Sequence, residues 1–204
     1  MKIDFGRIKQ QKVRDLLNSH NLEEVKDFGR LQSCCYSEED TTFHSHSKSF
    51  IIKANIEKVW NAYSTIHPRV AWDGKMISFG VLYCKENNEL IYHDDQYKGA
   101  EVGQIFFVGL RILKGLLKLG VAHVITKIDE ANKSLRICYL EKGKSEGSQF
   151  ISLHETEDGF TKVIHDTKYK SDSIFRDRVL YPALHSVAVS EYHRNVKNKI
   201  ETEK

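Results

Sequence analysis

The sequence predicts an α+β fold in which a curved antiparallel sheet of about seven strands grips a long C-terminal helix. Residues 172–200 repeat apolar side chains at helical spacing, with polar and cationic residues between them. Residues 76–169 consist of short β-rich runs separated by turn signals, which is the spacing of successive hairpins. An amphipathic helix of this kind needs one large apolar surface to pack against, and a sheet of paired hairpins provides it.

Composition is that of an ordinary globular protein. The 204 residues are 40% hydrophobic and 29% charged, and the net charge of +3 does not indicate a nucleic-acid partner. The N-terminus is too polar for a signal peptide, and no apolar run is long enough to span a bilayer. We therefore expect a cytoplasmic protein whose four cysteines, Cys34, Cys35, Cys84 and Cys138, are free thiols.

The chain divides into an N-terminal helical segment with a linker, residues 1–45, and a main domain, residues 46–204. Residues 7–18 carry apolar side chains among charges, which is typical of a short amphipathic helix. Residues 33–47 are polar and aperiodic, so they predict a loop or linker.

The main domain begins with a strand followed by a helix. Residues 48–54 are β-rich, and Asn55 can cap a helix over 56–64 because its side-chain oxygen can accept from a first-turn amide. Trp60 lies on the apolar side of that helix, and Pro68 ends or redirects it.

The region after this helix predicts the antiparallel meander. Asn87-Asn88 and Asp158-Gly159 are hairpin turn signals, because these residues tolerate the left-handed backbone conformation. The predicted strands cover residues 76–85, 89–95, 103–113, 120–129, 134–142, 148–156 and 160–170.

The last element is the long helix, and Pro182 decides where it begins. Proline has no amide hydrogen and fits only the first turn, so we expect a short turn over 173–179 and then the main helix. Its apolar stripe is predicted to be Tyr181, Leu184, Val187, Ala188, Tyr192, Val196 and Ile200.

The phrase S-F-I-I-K-A-N-I-E-K-V-W, residues 49–60, resembles the strand-to-helix start of the START-like, birch-pollen-allergen (helix-grip) superfamily. This resemblance covers residues 48–200. The tail, from Glu146 through Pro182 to Tyr192, is similar to that of one bacterial branch, although Ser148-Gln149 replaces its usual acidic pair. The resemblance implies an apolar cavity between sheet and helix that binds or transports a small hydrophobic molecule. Some members of the superfamily are cyclases or hydrolases.

Three hypotheses for function follow. The leading one is a non-catalytic binding module for a lipid-like or aromatic ligand, and the second is an enzyme that uses a cavity histidine or tyrosine as acid or base. The third is an interaction module whose cavity is filled by its own side chains. No serine lies in a nucleophile elbow and no glycine loop could cradle a phosphate, so we expect no cofactor.

The candidate site residues come from strand alternation and helix spacing. His123 and His165 share strand faces with apolar residues, as Tyr139 does, so these three are the candidate acid–base groups. The alternative for each histidine is a hydrogen-bonded core residue. His185 follows Leu184 and could face the sheet. The predicted ligand-binding residues are Trp60, Trp72, Phe107, His123, Tyr139, Phe150, His165, Leu184, Val187 and Ala188.

The ten histidines raise the question of a metal site. His44 and His46 are two residues apart, with no cysteine or carboxylate at the usual ligand spacing. We therefore expect no bound metal.

Residues 109–120 combine leucines with cations. A helix here would be a short cationic amphipath of the kind that lies on anionic membranes. The alternatives are a strand and turn with an apolar rim, or a sheet edge that packs on the N-terminal segment. The sequence therefore admits a peripheral membrane contact. The residues concerned are Leu110, Arg111, Leu113, Lys114, Leu116, Leu117 and Lys118.

Overall fold

The computed structural model describes residues 1–112 and 115–202 and confirms the α+β fold. A large curved antiparallel sheet faces a long C-terminal helix, and a short helical segment precedes it. The nine strands of the described residues are β1 (Ser33–Cys34), β2 (His44–Ile52), β3 (Ile77–Cys84), β4 (Glu89–Ile91), β5 (Ile105–Ile112), β6 (Leu117–Asp129), β7 (Ser134–Leu140), β8 (Glu146–Glu155) and β9 (Thr161–Lys170).

The helices lie at the ends of the chain and between the first two long strands. The α-helices are α1 (Gln11–Ser19), α2 (Ile56–Thr65), α3 (Pro68–Trp72) and α4 (Tyr181–Thr202). Short 3-10 turns cover Phe5–Arg7 and Val25–Arg30, and a π-helical turn over Arg176–Leu180 leads into α4. None of the described helices is long and apolar enough to cross a membrane.

The strand order is β2-β9-β8-β7-β6-β5-β3-β4, with β1 pairing the end of β7, and every pair is antiparallel. The helices α2 and α3 carry the chain from the β2 edge to β3 near the other edge. Register shifts between Phe79 and Val81 and between Ile125 and Lys127 mark bulges, which bend a sheet. Asn55 caps α2 as predicted, because its side chain accepts from the Lys58 amide at 2.8 Å.

Each face of the sheet has its own apolar cluster. The inner face carries the cluster that α2, α3 and α4 cover, which includes Val108 and Val196. The outer face packs against the N-terminal segment, where Val13 and Phe28 contact a cluster that contains Phe107. Because both faces are covered, every residue of β3 is buried, and the polar–apolar alternation of a one-sided strand is absent there.

The segment predicted as a loop contains sheet pairing. β1 and the start of β2 both fall within residues 33–47, so that prediction was wrong there. The predicted boundary between residues 45 and 46 lies inside β2. The hydrogen bonds of β2 to β9 explain the extended backbone, since an edge strand with one solvated face can be polar.

The cysteines are also not all free. Cys35 and Cys138 form a disulfide, while Cys34 and Cys84 are unpaired. The bond joins the N-terminal segment to β7 across 103 residues of sequence.

The C-terminal helix follows the prediction at its start and departs from it at one position. The π-helical turn precedes α4, and Pro182 is the second residue of α4. Val187, however, is 55% exposed, so it is not part of the buried stripe. Val187 and Ala188 are about 100° apart around a helix, and the sheet covers only the Ala188 side.

Residues 109–112 end β5 and residues 117–120 begin β6, so the hairpin alternative is correct and the helical one is not. Leu113 and Lys114 lie outside the described residues. α1 packs on this hairpin so closely that a Cβ at Gly120 would lie 2.3 Å from the Lys12 carbonyl oxygen.

A buried carboxylate fixes α4 to the end of the sheet. Glu191 accepts from the amides of Lys75, Met76 and Ile77 at 2.6, 2.8 and 2.8 Å. These donors are three consecutive amides at and just before the start of β3, so one side chain satisfies all three and ties α4 to this end of the strand.

Candidate ligand-binding cavity

A cavity of about 370 Å³ lies between the inner face of the sheet and α4. Its walls come from the neighbouring strands β3, β5, β6, β7, β8 and β9, from the first half of α4 and from Trp72 of α3. Leu16 of α1 and the adjoining His20 also line it. Exposed residues, among them Leu117, Lys144 and Leu180, line its outer end. The volume is within the range of sites that hold small organic molecules.

Most of the wall is apolar and aromatic. Trp72 is central to it, because its ring centroid lies 4.4 Å from that of Tyr192 and 5.2 Å from that of Phe106. These tilted ring contacts make this side of the cavity aromatic and rigid. The apolar wall includes Trp72, Ile77, Val108, Leu110, Val121 and Tyr192.

The opposite wall is polar, although it carries no charged side chain. Antiparallel pairing brings its members together, since His123 is opposite Tyr139 on β6 and β7. Gln149 and His165 face the same side of β8 and β9, where they share a hydrogen bond. The polar lining residues of this wall are His123, Tyr139, Gln149, His165, Tyr181 and His185.

A chain of three hydrogen bonds holds His165 in place. Its Nε2 lies 2.9 Å from Gln149 Oε1, which accepts, so Nε2 carries the hydrogen. Its Nδ1 then accepts from His193 Nε2 at 2.8 Å, and His193 Nδ1 accepts from the Tyr63 hydroxyl at 2.5 Å. Both ring nitrogens of His165 are therefore occupied, and its ring is fixed.

Two other histidines of the lining keep a nitrogen without a partner. His185 Nδ1 lies 3.3 Å from His46 Nδ1, while its Nε2 is buried with no hydrogen-bond partner among the described residues. His123 Nδ1 is buried and unpartnered in the same way. A buried polar atom of this kind costs free energy until something bonds to it.

Burial keeps these imidazoles neutral. Desolvation lowers the pKa of His123 to about 4 and that of His193 to about 3. Desolvation also holds the pKa values of His165 and His185 well below their ordinary value, and the neighbouring imidazoles lower them further. At neutral pH the polar wall therefore offers hydrogen-bond donors and acceptors without a net charge.

Three tyrosines close the cavity beneath the start of α4. The Tyr139 hydroxyl bonds to the Tyr181 hydroxyl, and burial raises the pKa of both above the ordinary value. Tyr181 stacks on Tyr169 with ring centroids 3.7 Å apart and on His185 at 4.8 Å.

No family model and no curated protein sequence matches the chain. Solved structures do match its fold. Norcoclaurine synthase from Thalictrum flavum, in complex with dopamine and hydroxybenzaldehyde, superimposes with a TM-score of 0.59 at 12% identity, over 85% of this chain and 98% of that one. The KanY protein superimposes with a TM-score of 0.56 at 14% identity, over 79% of this chain and 99% of that one. Ara h 8.0201 superimposes with a TM-score of 0.53 at 13% identity, over 79% of this chain and 99% of that one.

The chain has the helix-grip fold. This confirms the resemblance to START-like and birch-pollen-allergen proteins that the strand-to-helix phrase indicated. Identities this low establish the fold alone.

The helix-grip cavity brings together six of the ten residues predicted to bind the ligand. These are Trp72, His123, Tyr139, His165, Leu184 and Ala188. They include all three candidate acid–base groups, which lie on three different strands.

The other four predicted residues lie elsewhere. Trp60 is in the core beneath α2, where its indole nitrogen bonds to Glu130. Phe107 and Phe150 point to the outer face, one residue away from Val108 and Gln149, which do line the cavity. Val187 is exposed on α4, so none of the four meets the expectation that it lines the cavity.

Sequence reasoning missed Gln149, Tyr181 and His193 as site residues. Gln149 has a period-two signal, because it alternates with Ile151 and Leu153 on β8. His193 follows His185 by about two helical turns, which is enough to place both over the sheet. Nothing in the sequence indicates that His185 and His193 would both contact His165 of β9.

The histidines singled out for a possible metal site are separated. His44 Nε2 lies 3.9 Å from Asp177 Oδ2, while His46 pairs with His185. Within residues 1–112 and 115–202, no group of three or more His, Cys, Asp or Glu residues is arranged to hold a metal ion.

Proposed function

We propose that the protein binds a small hydrophobic molecule, lipid-like or aromatic, in the cavity beneath α4. The observation that carries this proposal is a cavity of about 370 Å³ with aromatic and aliphatic walls and one polar side. Protein interiors are close-packed, and voids much larger than a water molecule are rare. A void of this size argues against the hypothesis that the protein's own side chains fill the core.

The fold comparison supports the same proposal. In the similar structure of norcoclaurine synthase, the bound molecules are dopamine and hydroxybenzaldehyde. These are small aromatic compounds with polar groups at the ring edge. A cavity with an apolar wall opposite histidines and tyrosines suits the same broad class of molecule.

Filling the cavity tests the proposal. Ala188 lines the cavity, whereas Ala183 is exposed on the same helix. We expect extraction and mass spectrometry of purified wild-type protein to find a copurified hydrophobic molecule. Ala188→Phe should exclude that molecule and Ala183→Phe should retain it. An empty wild-type cavity that also binds none of a panel of apolar probes would contradict the proposal.

Acid–base catalysis is the second candidate function, and His123 favours it. The ring nitrogens of His165 are both occupied and the Tyr139 hydroxyl is bonded to Tyr181, so these two hold their protons in internal bonds. His123 Nδ1 has no hydrogen-bond partner among the described residues, and burial keeps its ring neutral, so this nitrogen can accept a proton from a bound molecule.

The copurified molecule itself provides the test of catalysis. If the protein is an enzyme, the mass of the molecule that copurifies with His123→Gln should change when that molecule is incubated with wild-type protein. The change should slow at least about a hundredfold with His123→Gln. A molecule that returns chemically unchanged from wild-type protein would favour simple binding.

We further propose that the outer end of the cavity contacts an anionic membrane surface. Leu116 on the β5–β6 hairpin is 90% exposed, and Ile174 and Phe175 ahead of α4 are 73% and 62% exposed. Leu117 and Leu180, which line the cavity, are exposed beside them. Apolar area in water costs roughly 25 cal/mol per Å², so these side chains favour a lipid surface.

Charge at this end fits the same partner. Exposed or half-exposed cations outnumber anions on the segments concerned, which favours lipid with anionic headgroups. The cations are Lys118, Lys142, Lys144, Arg176 and Arg178, and the anions are Glu141, Glu146 and Asp172.

Liposome sedimentation tests this contact. Binding to anionic vesicles should fall with rising salt, because salt screens the cations. Leu116→Ser with Phe175→Ser should weaken it further, whereas Val102→Ser, at an exposed valine before β5, should not. A wild-type protein that ignores such vesicles would contradict the membrane contact and leave the cavity proposal standing.

A further inference from the structure

Four histidines meet between β2, β9 and α4 on the polar side of the cavity. The ring centroids of His165 and His193 are 5.0 Å apart, those of His46 and His185 are 5.2 Å apart, and those of His165 and His185 are 5.8 Å apart. In the part of the chain that the structure describes, no carboxylate bonds to any of these four rings.

A lysine lies behind this wall and does not line the cavity. Lys48 Nζ lies 2.8 Å from Ser186 Oγ and 2.6 Å from Ser190 Oγ, and it forms no ion pair with an acid among the described residues. Its charge contributes to lowering the pKa values of His46, His185 and His193, after the larger effect of burial. The polar wall and the layer behind it therefore hold one cation and several basic groups, and none of these groups bonds to an acid among the described residues.

The groups that face His185 from the packed elements are basic or aromatic. His46 and Lys48 face it from β2, His165 from β9, and His123 from β6. On α4 its ring stacks on Tyr181. The buried carboxylate at this end of the helix, Asp177, accepts from the Ser171 amide and lies 3.9 Å from His44 rather than beside the cluster.

We propose that the bound hydrophobic molecule carries one carboxylic acid group, and that this group accepts a hydrogen bond from Nε2–H of His185 and a second one from Nδ1–H of His123, in the tautomer that carries its hydrogen there. The inference rests on the proposed binding function and names the polar end of the ligand. A carboxylate would supply the anion that the wall lacks and would give two buried, unpartnered nitrogens something to bond to.

Binding of such a ligand takes up a proton. A free carboxylate reaches the protein ionised at neutral pH, and a buried anion next to a neutral imidazole is unfavourable. His46 is half-exposed and its Nδ1 shares a hydrogen with His185 Nδ1, so it connects the cavity to solvent. A proton taken up at His46 passes through this bond to His185, whose Nε2–H then donates to the carboxylate. One proton is taken up for each carboxylate bound.

Titration calorimetry with a matched pair of probes tests the inference. Dodecanoic acid and 1-dodecanol have the same chain and differ only in the polar end. Each is titrated into the full chain in two buffers of different ionisation enthalpy, which reports the protons exchanged. We expect the acid to bind at least about tenfold tighter than the alcohol at neutral pH and to take up about one proton. The alcohol should take up none.

Three variants locate the proton. His185→Gln keeps a hydrogen-bonding group but cannot be protonated, so it should weaken acid binding about tenfold, abolish proton uptake and change alcohol binding by a smaller factor than acid binding. His46→Gln should abolish the uptake as well, and it changes a residue outside the cavity lining. The control is His154→Gln, at an exposed histidine on β8, which should change neither quantity.

The outcomes separate this inference from the proposed function. If acid and alcohol bind equally with no proton uptake, or if uptake persists in both His185→Gln and His46→Gln, the acidic ligand is wrong and the hydrophobic cavity stands. If the alcohol binds and the acid does not, the acidic ligand is likewise wrong and the hydrophobic cavity stands. If neither probe binds, both proposals are overturned.

Discussion

The two faces of the sheet are covered in different ways. On the outer face, residues of the N-terminal segment pack directly on the strands, and Phe28 meets Tyr83 and Phe107 with ring centroids 4.9 and 5.7 Å apart. On the inner face, α4 stands off from the strands and leaves about 370 Å³ between them. Phe107 and Val108 are neighbours in sequence, and one is in the solid layer while the other lines the cavity.

We infer from this difference that the outer layer mainly stabilises the fold and that the inner face mainly serves ligand binding. A solid layer contributes stability in proportion to the apolar area that it buries, whereas a cavity gives up packing to leave room for a ligand. Changes on the outer face should therefore alter stability and leave binding intact. Changes at the inner-face residues that line the cavity should do the reverse.

The largest expected effect comes from the outer face. Phe107→Ala should lower the free energy of unfolding by about 3–5 kcal/mol, because it empties a fully buried aromatic site. Leu184→Ala, at a half-buried residue of the cavity wall, should cost about 1 kcal/mol or less while changing ligand affinity. Urea denaturation of both variants measures the pair. Equal losses would mean that the two faces are equally well packed.

The disulfide offers a second way to separate the layers. Cys35→Ser with Cys138→Ser should destabilise the protein by about 2–4 kcal/mol, because the bond closes a loop of 103 residues. Affinity for an apolar probe should not change, since neither cysteine lines the cavity. Cys34→Ser is the matched control at an unpaired cysteine, and thermal melting is the measurement. A double variant as stable as wild type would show that the N-terminal layer holds without the bond.

The sequence predicted the elements well because helical and strand periods are local properties. It could not decide which side of a strand faces α4, because the N-terminal segment makes the outer side apolar too. Strand alternation alone therefore places Phe107 and Phe150 in the cavity, whereas the residues that line it are their neighbours Val108 and Gln149. The Cys35–Cys138 bond and the meeting of His185, His193 and His165 depend on pairings far apart in sequence, which no local pattern specifies.

A third prediction concerns pH and the neutral histidines of the inner face. Their pKa values are lowered in the folded protein, so below about pH 6.5 the unfolded chain binds protons that the folded chain does not. Stability should therefore be constant just above that pH and fall as the pH drops towards about 4. Each histidine should contribute up to about 1.4 kcal/mol per pH unit.

His123→Gln isolates one of these contributions. The variant should reduce the slope of stability against pH between about 6.5 and 4, where the folded pKa of His123 lies. His154→Gln, on the exposed side of β8, should leave the slope as it is. Chemical denaturation across that pH range measures both. A slope that is the same in wild type and His123→Gln would mean that His123 is not buried in a neutral state.

The smallest expected effect is at Val187. Because the side chain is exposed, Val187→Asp should change the free energy of unfolding by less than about 0.5 kcal/mol. Val196→Asp, which buries a charge under the same helix, should cost several kcal/mol. Thermal melting of the two variants compares the exposed and buried sides of α4. Severe destabilisation by Val187→Asp would restore the stripe predicted from the sequence.

The central claim is that the inner face has an open ligand site and the outer face does not. The most direct test is a heteronuclear NMR titration with 1-dodecanol, since it reports both faces in one experiment. We expect shifts at Trp72, Val108 and Ala188, and none at Phe28 or Phe107. Shifts at the outer-face residues, or no saturable shifts at the inner-face residues, would contradict the account.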